Sequence, residues 1–154
     1  MIRPIDADQL RGSKAMPLVL RVFGEFEAPE YSDEGVREFQ EYVDERAMEQ
    51  RLRSGELLMW GYFVDGRVVG VIAMRPIGQV SLLFVDKEHH RRGIARRLLD
   101  AAVSTCMKRS ARIETTVNSS PYAVGFYRKL GFVETDGEQT LNGIRFVPMK
   151  RTEP

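Results

Sequence analysis

Apolar positions change their period several times along the chain, and each change marks an element. Ile2 to Ile5 reads as a short strand. Leu10, Leu18, Val22 and Phe23 follow at helical spacing, with Asp6 and Asp8 as cap candidates and Gly24 as the stop. Pro29 breaks the next segment. Ser32 can cap a second helix carrying Val36, Phe39 and Val43, and Ala47, Met48 and Leu52 continue on a further short helix closed by Gly55. The period then falls to that of strands. Leu57 to Val64 and Val68 to Arg75 flank Asp65-Gly66, a two-residue hairpin turn in which both positions tolerate positive φ. Val80 to Val85 is apolar nearly throughout, as expected of a central strand.

Helical spacing returns from Gly93 to about Lys108. Ile94, Leu98, Ala102 and Cys106 form one row, and Ala95, Leu99 and Val103 the next. Arg112 to Val117 is strand-like. Pro121 opens a short helix, Tyr122 to Leu130, closed by Gly131. Its row Tyr122, Phe126, Leu130 places Phe126 toward the core. Phe132 to Glu134 and Ile144 to Met149 are the last strands, with turns at Gly137 and Asn142-Gly143. Strand 80–85, helix and strand 112–117 make a βαβ unit, so that pair is parallel with a right-handed crossover. The predicted fold class is α/β with a mixed sheet, of about seven strands and four helices. The expected organisation is one domain over 1–154.

Composition narrows the class. Hydrophobic residues are 43% and charged residues 29% of the 154, with a formal net charge of +1. That balance gives no reason to expect nucleic acid or an anionic membrane as partner. The charges are unevenly placed, however. Residues 25–56 are acid-rich and 87–112 are basic, which suits a cationic substrate and an anionic cofactor respectively. One cysteine allows no internal disulfide, and Cys106 lies on the buried stripe of its helix. No apolar run approaches the roughly 20 residues of a membrane span, and MIRPIDADQL has no signal-peptide core. A cytoplasmic location is expected.

The candidate chemistry sits where strand 80–85 turns into its helix, at His90-Arg91-Arg92-Gly93-Ile94-Ala95. Unpaired N–H groups and the positive end of the helix dipole meet arginines there, which makes an anion site suited to phosphate or pyrophosphate. Neither GxxxxGK[ST] nor GxGxxG is present. A shorter turn fits, with Gly93 admitting close approach and Ala95 keeping the contact small. Arg91, Arg92 and Arg96 add charge. His89 and His90 are adjacent and poorly placed for joint chelation, and there is no thiolate cluster, so no metal is expected.

This stretch resembles the acetyl-CoA signature of the GNAT superfamily of N-acetyltransferases, Arg/Gln-x-x-Gly-x-Gly/Ala, with His90 departing from the usual first residue. Asn118, Ala123, Phe126-Tyr127 and Gly131-Phe132 resemble the family's downstream pattern at the expected distance. The resemblance implies a sheet splayed between its fourth and fifth strands with acetyl-CoA in the gap. It implies cofactor contacts from Phe84, Val85, His90, Arg91, Arg92, Gly93, Ile94, Ala95, Arg96, Asn118 and Phe126. Those of Phe84 and Val85 would be made by main-chain groups that a splayed strand leaves unpaired. It also implies direct transfer of an acetyl group to a primary amine of a small molecule or peptide. Tyr127 lies about 100° round the helix from Phe126, so its hydroxyl is free to protonate the leaving sulfur. Asp86, Glu25, Glu27 and Glu30 are the candidate bases. The acceptor is expected between residues 23–36 and the hairpin near 60–75. A module of this fold that binds acetyl-CoA without catalysis is the alternative, and exposed late strands could pair in a homodimer.

Overall fold

A computed structural model describes residues 1–110 and 114–153. The predicted strand residues Arg112 and Ile113 lie outside them. The chain runs β1 (Ile2–Pro4), α1 (Leu10–Ser13), α2 (Ala15–Phe26), α3 (Asp33–Tyr42), α4 (Glu45–Ser54), β2 (Leu58–Val64), β3 (Arg67–Arg75) and β4 (Gln79–Val85). It continues with α5 (Ile94–Ser110), β5 (Glu114–Ser119), α6 (Val124–Lys129), β6 (Val133–Glu134), β7 (Gln139–Leu141) and β8 (Ile144–Thr152). The mixed α/β class is as expected. Among the described residues there are eight strands and six α-helices, against about seven and four expected.

The extra helices have local causes. The first predicted helix breaks at Lys14, whose φ of 62° is left-handed, so α1 ends and α2 restarts. Asp6 does not cap a helix; its carboxylate accepts from the Gln9 N–H in the turn before α1. α2 also runs past Gly24 to Phe26. Ser32 caps α3 as expected, its Oγ accepting from Gly35 N at 3.1 Å. Asp44 caps α4, and Gly55, with φ 82°, closes it.

The sheet order is β1-β2-β3-β4-β5-β8-β6, with β7 on β8. The β2–β3 turn uses Asp65 and Gly66 at φ 51° and 76°. α2 packs on one face with Leu18, Val19, Val22 and Phe23 buried against Val71, Ala73, Leu82 and Phe84. α5 packs on the other through Ile94, Leu98, Leu99, Ala102, Val103 and Cys106. Both predicted rows of α5 therefore face the sheet, with Ala95 half-buried at its start. Burial also pushes the Cys106 thiol pKa up. Among the described residues, no helix is long and apolar enough to cross a membrane.

β4 and β5 are parallel but pair at only two positions, Gln79 with Thr116 and Val80 with Val117. β4 stays bound to β3 as far as Val85, and β5 stays bound to β8 as far as Ser119. The two halves of the sheet are each intact while the seam between them opens.

Gly70 on β3 sets how closely α5 can lie. A Cβ there would stand 3.1 Å from both Ile94 Cγ2 and Leu98 Cδ1. Gly70→Val should cost about 1–3 kcal/mol by overpacking this contact, measured by urea denaturation; a loss near zero would show that α5 can shift without penalty.

Candidate active site

The open seam determines which main-chain groups need partners. Asp86 N donates to Val69 O at 2.8 Å, so by antiparallel alternation Phe84 also turns its N–H and C=O to β3, opposite Val71. Leu83 and Val85 turn theirs the other way, into the gap. On the far wall, Thr116 N donates to Gly78 O at 3.0 Å. Asn118 shares that orientation. It faces Pro148, which has no N–H and whose carbonyl accepts from Thr135 N. Asn118 thus presents its main chain to the gap, while its side chain is exposed. Phe84 and Val85 therefore separate. Phe84 is a buried core residue edge-on to Phe39, and Leu83 takes its place as a gap-facing neighbour of Val85.

At the head of α5 the backbone coils tightly. Arg91 has φ 64° and Gly93 φ 74°. A Cβ on Gly93 would meet nothing within 4 Å, so its glycine answers the backbone angle, and the space before it is open. The first helical bond runs from Arg97 N to Gly93 O. The N–H groups of Ile94, Ala95 and Arg96 precede it and have no carbonyl of their own helix to meet. These donors and the gap-facing groups of Leu83, Val85 and Asn118 fit an anionic group joined to an amide-bearing arm. Arg91 and Arg92 are exposed on the same loop. Arg96 reaches elsewhere: Nη2 donates to Lys129 O at 2.9 Å, tying the head of α5 to the C-terminal end of α6.

His90 has a defined task. Its Nε2 lies 2.7 Å from Val85 O, holding one of the carbonyls that face the gap. Its ring is 5.5 Å from Phe26, and Phe26 is 5.7 Å from Tyr122. Three rings thus connect the loop after β4, the end of α2 and the turn after β5.

The helix bearing Tyr127 differs from expectation. A 3-10 turn, Pro121–Ala123, precedes α6, and the row Tyr122, Phe126, Leu130 does not face the core: Tyr122 and Phe126 are both exposed, and the buried pair is Tyr127 and Leu130. Phe126 is 39% exposed and Tyr127 only 6%, the reverse of the predicted placement. Tyr127 meets Phe126 and Phe132 edge-on. Burial pushes its phenol pKa well up, and the charge of Glu27 adds to this.

Glu27 stands apart from the other candidate bases. It follows the last residue of α2 and is half-buried. Burial raises its carboxyl pKa, a Ser120 hydrogen bond lowers it, and the nearby Glu30 raises it. Asp86 is engaged by Arg21 at 3.1 Å. Glu25 and Glu30 are exposed. Ser120 also caps the turn before α6, accepting from Ala123 N at 3.2 Å, so the residue that moderates the Glu27 carboxyl belongs to the segment leading to Tyr127. The helix start was legible in Pro121; the nearness of Ser120 to residue 27 carried no local signal. Within the 23–36 segment, Arg145 donates to Glu30 O and Ser32 donates to Gly143 O, which joins that segment to the β7–β8 turn. Among the described residues, no group of three His, Cys, Asp or Glu is placed to hold a metal.

The comparisons agree with this architecture. A family model described as an acetyltransferase (GNAT) domain matches residues 27–153. An uncharacterized N-acetyltransferase of Escherichia coli K12, YafP, is 30% identical over 90 residues, 58% of this chain and 54% of its own length. The matched stretch thus spans about half of that relative. A GCN5-related N-acetyltransferase of Rhodopseudomonas palustris has a similar structure, with TM-score 0.81 and 20% identity over 99% of this chain and 94% of its own. The PaiA N-acetyltransferase of Thermoplasma acidophilum, solved with coenzyme A, gives TM-score 0.78 and 21% identity over 99% and 98%.

His90→Gln keeps a donor for Val85 O and should bind acetyl-CoA nearly as wild type. His90→Ala should bind about 3–10-fold more weakly by calorimetry, the worth of one hydrogen bond. Equal affinities in all three would deny the side chain a part.

Proposed function

The chain belongs to the GNAT acetyltransferase family, and on that premise we propose that it transfers an acetyl group from acetyl-CoA to a primary amine. The observation that carries this is the seam opened beyond Val80 and Val117, with main-chain groups of Leu83, Val85 and Asn118 turned into it beside the head of α5. Residues 94–96 and the Arg91–Gly93 coil would hold the pyrophosphate, and the gap-facing strand groups the amides of the pantetheine arm. Bound there, acetyl-CoA supplies an acetyl group on a thioester, whose sulfur is a far better leaving group than an amide nitrogen.

The residues divide the proton work. An alkylammonium near pKa 10.4 is unreactive until it loses a proton. Glu27 is placed to accept it, and its raised pKa makes it a stronger base than an ordinary surface carboxylate. Tyr127 holds its proton firmly, because burial and the Glu27 charge both oppose the phenolate. It is therefore present as an acid when negative charge collects on the sulfur. Burial need not defeat the transfer, since the same loss of water makes a desolvated sulfur anion more basic too. The nitrogen loses two protons on the way to the amide. Glu27 takes the first, and the second returns to the Tyr127 oxygen as that phenol gives its own proton to sulfur. Glu27 then releases its proton to water, so one proton leaves per turnover.

Tyr127→Phe keeps the ring contacts and should lower kcat by about 100-fold or more with little change in KM for acetyl-CoA. Release of free thiol from acetyl-CoA with an amine panel measures it. Wild-type acetyl-CoA binding without thiol release would instead favour a non-catalytic binding module.

Glu27→Gln tests the base through pH. The native carboxyl pKa is raised, so wild-type kcat/KM should climb on the acid side through a limb above the usual carboxylate range, and that limb should vanish in the variant. Stability gives the sign independently. A raised native pKa means the unfolded chain loses this proton first, so ionisation weakens the fold as pH rises. The variant should gain stability relative to wild type at pH 7 and lose that gain near pH 4, as followed by denaturation midpoints.

A further inference from the structure

We propose that the Tyr42–Ser81 hydroxyl pair closes the inner end of the β4–β5 seam and selects acetyl over longer acyl groups. The inference rests on the transferase reading for what the seam holds, and deepens it by naming the residues that sense the acyl chain.

Ser81 is the odd residue of β4. Ala73 pairs with Leu82 and Met74 with Val80, so Ser81 has no partner on β3. It is the extra residue of a bulge, a device that re-aims a side chain. The same position marks where the seam opens. The parallel pairing of β4 with β5 stops at Val80 and Val117, so Ser81 is the first β4 residue beyond it.

The inner end is closed on both faces. Val80 and Val117 are buried in the core beneath α5. On the opposite face Tyr42, the last residue of α3, packs against the α2-side core, and its hydroxyl is hydrogen-bonded to Ser81 Oγ. Tyr42 is pinned in turn. Arg51 donates from Nη1 to Tyr42 O and lies 4.1 Å from the centre of its ring. Glu56 holds that guanidinium at Nε, 3.6 Å away.

Length brings the acyl group to this end. On the proposed seating the pyrophosphate lies at the head of α5, beside Val85. Ser81 is four residues back along β4, about 13 Å of strand. The arm from phosphate to sulfur has about thirteen bonds, and an extended chain advances about 1.2 Å per bond, roughly 16 Å in all. The thioester therefore arrives near Ser81, with the acyl group leading.

Polarity then decides which acyl group fits. Two hydroxyls share one hydrogen bond, so one O–H is left to donate elsewhere. It needs water or a carbonyl oxygen. An acetyl group is short enough to leave it one. A longer alkyl chain pressed against the pair would leave that O–H buried and unpaired.

Calorimetry tests this without relying on turnover. Wild type should bind acetyl-CoA about 10-fold or more tightly than butyryl-CoA. Tyr42→Phe/Ser81→Ala removes both hydroxyls and orphans neither. In it that ratio should fall to about 3-fold or less, with affinity for CoA itself unchanged. If the double variant does not fold or does not bind CoA, Ser81→Ala alone should move the ratio in the same direction. In wild type, the Tyr42 ring resonances should differ between the CoA and acetyl-CoA complexes. The proposal is overturned if wild type binds butyryl-CoA as tightly as acetyl-CoA or binds neither. It is equally overturned if the Tyr42 resonances are the same in both complexes, or if the ratio stays fixed in the variants. The expected binding ratios with no thiol release from acetyl-CoA and an amine panel would leave the pair standing as an acyl selector and remove the transferase reading instead.

Discussion

Unmet main-chain hydrogen bonding at the β4–β5 seam is the constraint on which the rest depends. A central sheet position normally satisfies both edges of every strand, and a buried orphan costs about 1–3 kcal/mol. Here the parallel pairing ends after two positions, while each strand keeps its outer partner. The fold tolerates the opening because each half is independently anchored, β4 on β3 beneath α2 and α5, and β5 on the long strand β8. What the seam gives up in pairing it offers to an incoming molecule with amides of its own.

The elements around the seam are joined across it rather than within either half. Arg96 reaches from α5 to the end of α6. Phe26 lies between His90 and Tyr122. Ser120, before α6, lies close enough to Glu27 at the end of α2 to lower its carboxyl pKa. These links hold the two walls at a set separation, which a weakly paired seam cannot do for itself. They also bring the proposed base and acid under one electrostatic influence: charge on Glu27 discourages charge on Tyr127, so loading one with a proton eases the demand on the other.

Much of this was legible from residue pattern alone. The α5 stripe, the Asp65-Gly66 hairpin and the Ser32 cap are local signals, and each appears where its spacing places it. The turn before α5 was legible as a turn, because Gly93 accepts a positive φ and an amphipathic run follows it. The break at Lys14 was not, since nothing in a lysine announces a left-handed backbone. Phe126 and Tyr127 exchanged places because a helix this short offers two equally apolar rows, Tyr122 with Phe126 and Tyr127 with Leu130, and it is the second that meets the core. Glu27 could be named among four carboxylates but not chosen. What distinguishes it is burial and Ser120, 93 residues away in the chain. Gly35 in α3 and Gly143 in the β7–β8 turn stand so close that a Cβ on either would strike the other's backbone; that contact is longer-range still, and a glycine in a helix gives no hint of its partner.

The buried position of Cys106 has a practical bearing on any study of this protein. It is the chain's one cysteine, 2% exposed, and burial raises its thiol pKa, which disfavours the thiolate. Thiol-directed dyes react with the thiolate, so the folded chain should be nearly silent to them. Free coenzyme A would then colour against a dark background, and the protein could report its own turnover continuously without a coupling enzyme or a cysteine-less variant.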